Sequence, residues 1–248
     1  MVVYQQQQNQ NTNLIGILND NANIANMSMN TMNTTIPSVE TIQRIIKNHD
    51  YDIFEAKNDL KSIMPWCNYN YTIKNPHKGW ASLFGAELLH DIGIQIRADE
   101  IKNNNQESDY EITEIKEKYG SLRVYMSNYY DDTMNNIIDS YSCLSSRACT
   151  QCGQMLNICI TMNYILPICE SCIRFENIEN KQKPEQHIKK LDNPSTIKQI
   201  FNMQSYGLHG SIKEYNLIDE LKKTETYKML ALPALLERIT KKTGIPLE

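Results

Sequence analysis

The sequence predicts an α+β fold in which a β-hairpin and a small cysteine-rich element are flanked by helical segments. Three observations lead to this prediction. Apolar residues recur at helical spacing in several segments, residues 111–126 alternate in polarity around a glycine, and two Cys-x-x-Cys pairs lie sixteen residues apart.

The first segment, residues 1–34, is polar. It contains nine Asn and five Gln but a single charged residue, Asp20. Such a segment buries too little apolar surface to offset the entropy lost on ordering. We therefore predict that residues 1–34 form a disordered Asn/Gln-rich arm.

Helical periodicity begins after Pro37. Residues 35–70 are predicted to form a helical pair that starts behind a Ser38 cap and ends before Pro65. A third helix is predicted over 78–93, within a domain that spans 71–179. Its apolar face is formed by Trp80, Leu83, Phe84, Leu88 and Ile92.

A β-hairpin is predicted over residues 111–126, with Gly120 between its two runs of alternating polarity. The following helix is capped by Asp131 or Asp132 and leads directly to Cys149. Further along, residues 180–195 are charged, contain two prolines and are predicted to be a linker. Residues 196–248 are predicted to be a helical segment that Pro233 interrupts or kinks.

Charge and hydropathy exclude some classes of protein. The net charge is −4, and residues 71–180 carry nine basic against fifteen acidic side chains, so no general basic field attracts nucleic acid. The amino terminus lacks the basic and apolar regions of a secretory signal, and no apolar run reaches the length of a membrane span. An intracellular protein without membrane contact is expected.

In a reducing compartment, cysteine pairs at this spacing are typical of a metal site. Zinc binds four thiolates tetrahedrally, and Gly153 suits the tight knuckle that follows the first pair. The intervening residues suit two short strands, and the second pair falls at the start of a helix. A knuckle, a hairpin and the start of a helix together make a treble clef, and a zinc ribbon is the alternative geometry. The predicted ligands of one structural zinc ion are Cys149, Cys152, Cys169 and Cys172.

A catalytic role for this site is not expected, because four thiolates leave zinc no open position. The sequence lacks the His-x-Glu of the zinc deaminases, and no histidine lies between the cysteine pairs, where His-Asn-His nucleases often carry theirs. Cys67, Cys143 and Cys159 lack paired spacing and are expected to be small buried side chains. The protein is predicted not to be an enzyme.

Several of these motifs together resemble a family. "KGW" at 78–80, "EIKEKYGSLRVYM" at 114–126, and the "CTQCGQ" and "CESC" motifs are similar to an uncharacterised bacteriophage domain with a Gly-Trp helix, a hairpin and a zinc element. The resemblance covers about residues 75–175. The Gly-Trp that this family tends to have before its second cysteine pair is replaced here by "MNYILPIC". The resemblance implies a phage or other viral source and no particular reaction.

The expected function is therefore that of a non-enzymatic zinc-binding viral protein, located in the host cytoplasm or the virion, that binds a protein partner or a virion assembly. The alternative is a nucleic-acid-binding regulator that uses the zinc element and the hairpin. Its candidate binding residues are Lys116, Lys118, Arg123 and Arg147. For Arg123 a structural pairing across the hairpin, with Glu117, is the competing expectation.

Overall fold

The structure is a computed structural model that describes residues 36–66, 76–103, 110–127, 131–161, 165–179, 188–206 and 212–248. The predicted arm at 1–34 lies outside the described residues. Helices alternate with small antiparallel sheets, as the α+β prediction requires. No helix within these described ranges has both the length and the apolar character needed to cross a bilayer.

The predicted helical pair is present. Helix α1 spans Val39–Asn48, and the Ser38 hydroxyl accepts a hydrogen bond from the Thr41 backbone N–H, as its sequence position predicts. Helix α2, Lys57–Ile63, is shorter than its apolar pattern suggests, because residues 53–56 form turns.

The predicted third helix forms the centre of the molecule. It begins with the single turn α3, Lys78–Trp80, passes through a π-helical segment, Ala81–Gly85, and continues as α4, Ala86–Lys102. All five residues of the predicted apolar face are buried. The helix extends beyond the predicted end at 93, because α4 is covered by other elements along most of its length.

The hairpin consists of β1, Ile112–Lys118, and β2, Ser121–Met126. Tyr119 and Gly120 both have positive φ, 54° and 78°, which identifies a type I′ turn and matches the twist of the strands. Helix α5, Asp132–Ser145, is capped by Asp131 and packs beside β2, where the Ser145 hydroxyl accepts from the Leu122 N–H. The helix thereby covers an edge of the hairpin.

The cysteine-rich element contains β3, Ile158–Thr161, β4, Pro167–Cys169, and α6, Glu170–Glu179. A further strand, β5, Ile188–Lys190, pairs with β3 and makes the sheet order β4-β3-β5. Part of the predicted linker at 180–195 is thus a strand. Its exposed side chains show none of the alternation that predicts a buried strand face.

The carboxyl-terminal segment is not entirely helical, which corrects the prediction for 196–248. A 3₁₀ turn at Lys198–Phe201 leads into a hairpin of β6, Asn202–Tyr206, and β7, Ile212–Asn216. Helix α7, Leu217–Leu221, a second 3₁₀ segment, Glu225–Met229, and helix α8, Leu232–Thr243, follow. Pro233 lies in the first turn of α8, where its missing N–H costs no helical hydrogen bond.

One hydrophobic core includes buried side chains from Ile36 to Ile245, so the amino-terminal helices, the hairpin and the carboxyl-terminal helices share it. A second, small cluster surrounds the cysteine site. Through the main core runs a polar stripe of α4 residues, four apart in sequence, which comprises Glu87, Asp91, Gln95 and Asp99.

Each member of this stripe contacts another segment or another member. Glu87 forms an ion pair with Arg238 of α8 at 2.7 Å, and Gln95 accepts a hydrogen bond from Thr226 at 3.1 Å. Asp91 is fully buried and accepts hydrogen bonds from the Tyr141 hydroxyl and from the backbone N–H groups of Ala231 and Leu232, at the amino terminus of α8. A carboxylate at a helix amino terminus is favourable, so the stripe attaches α8 to α4.

Candidate metal centre

The first cysteine pair lies in a tight knuckle before β3. Gly153 donates its N–H to the Cys149 carbonyl at 2.9 Å and has a φ of +72°, which non-glycine residues rarely adopt. The Cys149 N–H donates to the Gln154 carbonyl at 2.8 Å. Thr150 donates to Pro167 of β4, so the knuckle is joined to the strand that carries the second pair.

The Gly-Trp turn of α3 packs directly against this knuckle. Gly79 donates its N–H to the Thr150 carbonyl at 2.8 Å, and a Cβ at Gly79 would lie 2.3 Å from the Cys149 carbonyl oxygen and 2.7 Å from the Gly153 nitrogen. The buried Trp80 indole donates to the Ala148 carbonyl at 2.9 Å. Glycine is therefore required at position 79 by the close approach of two backbones.

The second pair completes the site. Cys169 ends β4, and Cys172 lies in the first turn of α6. The four Sγ atoms all lie within 4.8 Å of one another, and Cys152 Sγ is 3.6 Å from Cys169 Sγ. A zinc ion with Zn–S bonds of about 2.3 Å places its sulfurs about 3.8 Å apart. The four cysteines thus fit a tetrahedral metal ion, as the spacing predicted.

Backbone N–H groups point at the sulfurs. Burial raises the pKa of Cys149 to about 11, while N–H groups of Cys169, Cys152 and Gln151 oppose that rise. For Cys169, burial also acts to raise the pKa, but the Cys172 N–H and the neighbouring thiols outweigh it and lower the value. Hydrogen bonds of this kind favour the thiolate, which is the form that binds metal.

The predicted binding residues lie in two places. Lys116 and Lys118 belong to the hairpin, and the Lys116 ammonium pairs with Glu114. Arg123 stands opposite Lys116 across the hairpin and donates a hydrogen bond to the Ser142 hydroxyl of α5 at 3.2 Å.

Arg147 lies beside the cysteine element, away from these hairpin contacts. It donates to the Asp192 carbonyl at 3.1 Å and so holds the chain that follows β5. Both candidate arginines therefore make internal contacts.

Among the described residues, the other cysteines and the histidines near the core do not belong to the four-cysteine cluster. Cys159 is buried in β3, and Cys143 is half-buried against the main core, where burial raises its pKa to about 12. Cys67 lies outside the described residues. His77 packs edge-on against Trp80, with its pKa lowered by burial, and His90 contacts Asp91.

Sequence reasoning missed an exposed apolar pair at the tip of the hairpin. Tyr119 is 75% exposed, and Ile165, 43% exposed, packs against the neighbouring Gly120, where a Cβ would lie 2.9 Å from the Ile165 side chain. The Glu117 carboxylate accepts from the Gly120 N–H at 2.7 Å and holds the turn. The sequence signal for the exposure of Tyr119 was the Tyr-Gly pair between two strands, since a two-residue turn places the tyrosine at the tip of the hairpin.

Comparisons with protein-family models, with curated proteins and with solved structures returned no match.

Proposed function

We propose that the four cysteines hold one structural zinc ion in a treble-clef element. The order of knuckle, β3–β4 hairpin and amino-terminal turn of α6 supports the treble clef. The donor set supports zinc, since four soft thiolates in tetrahedral reach suit this ion. Four thiolates also complete its coordination, so the ion stabilises the fold and has no position for a reacting water.

Metal analysis of the purified protein tests this part of the proposal. The wild type is expected to contain one zinc ion per chain, and Co²⁺ substitution to give the thiolate charge-transfer bands of a tetrahedral site. Cys152→Ala should lose stoichiometric metal, whereas the matched control Cys143→Ala, outside the cluster, should keep it. Equal zinc content in both variants would contradict the assignment.

The zinc element supports a binding surface, and we propose that the protein is a non-enzymatic module that binds another protein. The observation that carries this proposal is the exposure of Tyr119, on a turn held by Glu117, and of Ile165 in the cysteine element, which packs against the adjoining Gly120. Rigid exposed tyrosines are enriched in protein interfaces, because they bury a large area at little entropic cost.

A viral context is part of the same proposal. The similarity of the Gly-Trp turn, the hairpin and the cysteine pairs to a bacteriophage domain supports it. Under this proposal the partner is a component of a virion or of the infected host cell, and the protein acts in the host cytoplasm or within the particle.

Affinity purification from producing cells, followed by titration of the purified partner, tests the surface. Tyr119→Ser and Ile165→Ser should each weaken binding by at least about tenfold, since central interface residues contribute about 1–2 kcal/mol or more. Tyr125→Ser is the matched control, because Tyr125 is also exposed on the hairpin but lies away from the turn. Unchanged binding by the first two variants would reject the hairpin tip as the interface.

Nucleic-acid binding is the second candidate, and one observation favours it. Each exposed tyrosine of the hairpin has a lysine nearby: Lys118 Nζ lies 5.5 Å from the Tyr119 ring centre, and Lys116 Nζ lies 4.7 Å from that of Tyr125. Aromatic rings beside cations are typical of surfaces that bind single-stranded nucleic acid.

Fluorescence anisotropy with a labelled single-stranded oligonucleotide distinguishes the two candidates. Nucleic-acid binding predicts an affinity that falls steeply with salt and weakens in both Tyr119→Ser and Tyr125→Ser. Protein binding predicts that, of these two tyrosine variants, only Tyr119→Ser weakens binding of the protein partner, and that the oligonucleotide does not bind at physiological salt.

A further inference from the structure

A cavity of about 160 Å³ lies in the carboxyl-terminal segment, remote in sequence from the cysteine site. It is lined by residues of the 3₁₀ turn at Lys198–Phe201, the 3₁₀ segment Glu225–Met229, α7 and α8, and by Leu247 and Glu248. Its walls include the buried apolar side chains of Phe201, Ile218 and Leu236. An apolar cavity of roughly 150 Å³ is large enough for one benzene ring.

Two lysines line the same cavity, and both lie near the same two carboxylates, those of Glu248 and Asp219. The Lys222 and Lys198 ammonium groups lie 3.5 Å and 3.9 Å from Glu248 Oε1. Asp219 is a second neighbour of both, at 3.2 Å from Lys198 and 3.8 Å from Lys222. The lining therefore combines apolar side chains with two cations and two carboxylates, those of Glu237 and Glu248, and the Glu248 carboxylate lies between the two cations.

The carboxylate of Glu248 is weakly held. Its side chain is 63% exposed, and both of its contacts are longer than a strong charge-assisted hydrogen bond of about 2.8 Å. Exposed ion pairs of this kind contribute little, about 0–1 kcal/mol. A ligand that offers a carboxylate in the same place therefore loses little by displacing Glu248 and gains the burial of its apolar part.

We propose that this cavity binds a small amphipathic monocarboxylate, with its apolar body among Phe201, Ile218 and Leu236 and its carboxylate between Lys198 and Lys222. The size of the cavity limits the apolar body to about one ring or a short aliphatic chain. The negative charge of the proposed ligand follows from the Glu248 carboxylate, which the two lysines already contact. This site is separate from the zinc element and does not depend on its function.

Titration with hexanoate, followed by the methyl NMR signals of Ile218, Leu236 and Leu247, tests the proposal. We expect saturable shifts confined to these methyls, with a dissociation constant on the order of millimolar for so small a ligand. 1-Hexanol lacks the charge and acetate lacks the chain, so each should bind at least about threefold more weakly. Hexylamine, with the opposite charge, should not bind.

Three variants separate the proposal from unspecific apolar binding. Lys222→Gln should weaken hexanoate binding about three- to fivefold, and Glu248→Gln should strengthen it, because the competing carboxylate is removed. Lys241→Gln, on the exposed surface of α8 and outside the cavity, is the matched control and should change nothing.

The proposal is overturned if hexanoate produces no saturable shifts at these methyls, or if 1-hexanol binds as tightly as hexanoate. It is also overturned if Glu248→Gln leaves the hexanoate affinity unchanged. All three variants alter exposed or half-exposed side chains, so loss of folding is not expected to obscure the result.

Discussion

The contact between Gly79 and the first cysteine knuckle leads to the sharpest prediction. Gly79→Ala adds a methyl group whose Cβ would lie 2.3 Å from the Cys149 carbonyl oxygen and 2.7 Å from both the Gly153 nitrogen and the Thr150 carbonyl carbon. All three atoms belong to the backbone, so a side-chain rotation cannot relieve the overlap. Either α3 or the knuckle must move.

The cost has two parts. Overpacking a close contact costs about 1–3 kcal/mol, and the displaced backbone loses the Gly79–Thr150 hydrogen bond, which contributes about 1 kcal/mol. We expect Gly79→Ala to lower the free energy of unfolding of the metal-bound protein by about 2–4 kcal/mol. If the knuckle moves instead of α3, part of this cost appears as a lower affinity for zinc, and a loss of 2 kcal/mol weakens zinc binding about 30-fold.

Gly85→Ala is the matched control, because it makes the same change six residues later in the same helical run. Its Cβ would lie 3.4 Å from the nearest atom, the end of the Ile53 side chain, which is ordinary contact. Alanine also favours a helix by about 1 kcal/mol relative to glycine, so this variant should be neutral or more stable.

Urea unfolding of the metal-bound protein and zinc competition with a chromophoric chelator measure the two effects. If Gly79→Ala and Gly85→Ala have the same stability and the same zinc affinity, the close approach of α3 to the knuckle does not support the metal site.

Three further predictions concern buried polar groups, each measured by urea unfolding. Trp80→Phe should cost about 1–3 kcal/mol, because the buried Ala148 carbonyl loses its donor; a change below about 0.5 kcal/mol would contradict this. Asp91→Ala should cost about 3–5 kcal/mol, because it leaves the amino terminus of α8 and the Tyr141 hydroxyl without an acceptor. Tyr141→Phe removes one of these hydrogen bonds and should therefore cost less. Burial and the nearby Asp131 raise the pKa of Asp99 from 3.8 to about 6, so the folded state binds this proton more tightly than the unfolded state. The resulting stabilisation is complete below about pH 4 and is lost as the pH rises through 6. The stability of Asp99→Asn relative to the wild type should therefore increase from pH 4 to pH 7. A stability difference between the two proteins that stays constant with pH would refute the raised pKa of Asp99.

The sequence alone located the cysteine site and the hairpin, because their signals are local. Cys-x-x-Cys spacing reflects the geometry of a knuckle and of a helical turn, and a glycine between two alternating runs reflects the geometry of a tight turn. The caps Ser38 and Asp131 were recognisable for the same reason, since each bonds an N–H three residues away. The predicted identity of the ion follows from its thiolate ligands.

The elements that the sequence did not predict correctly have a common physical feature, which is their dependence on distant parts of the chain. Strand β5 and the β6–β7 hairpin were assigned to a linker and to helices, because their residues carry too weak a local pattern and depend on pairing with a partner strand. The polar stripe of α4 was overlooked, because a periodic row of polar residues ordinarily indicates a solvated helix face. Its burial depends on partners such as Arg238 that lie far away in the chain.

By itself, the sequence determined the two cysteine pairs, the hairpin turn at Gly120 and the apolar faces of the main helices, since each depends on residues close together in the chain. Only the tertiary structure decided that Trp80 reaches Ala148, 68 residues away, and that Asp91 caps a helix 140 residues away. Such contacts form when separate segments pack against each other, and short-range periodicity and spacing do not record which segments those are.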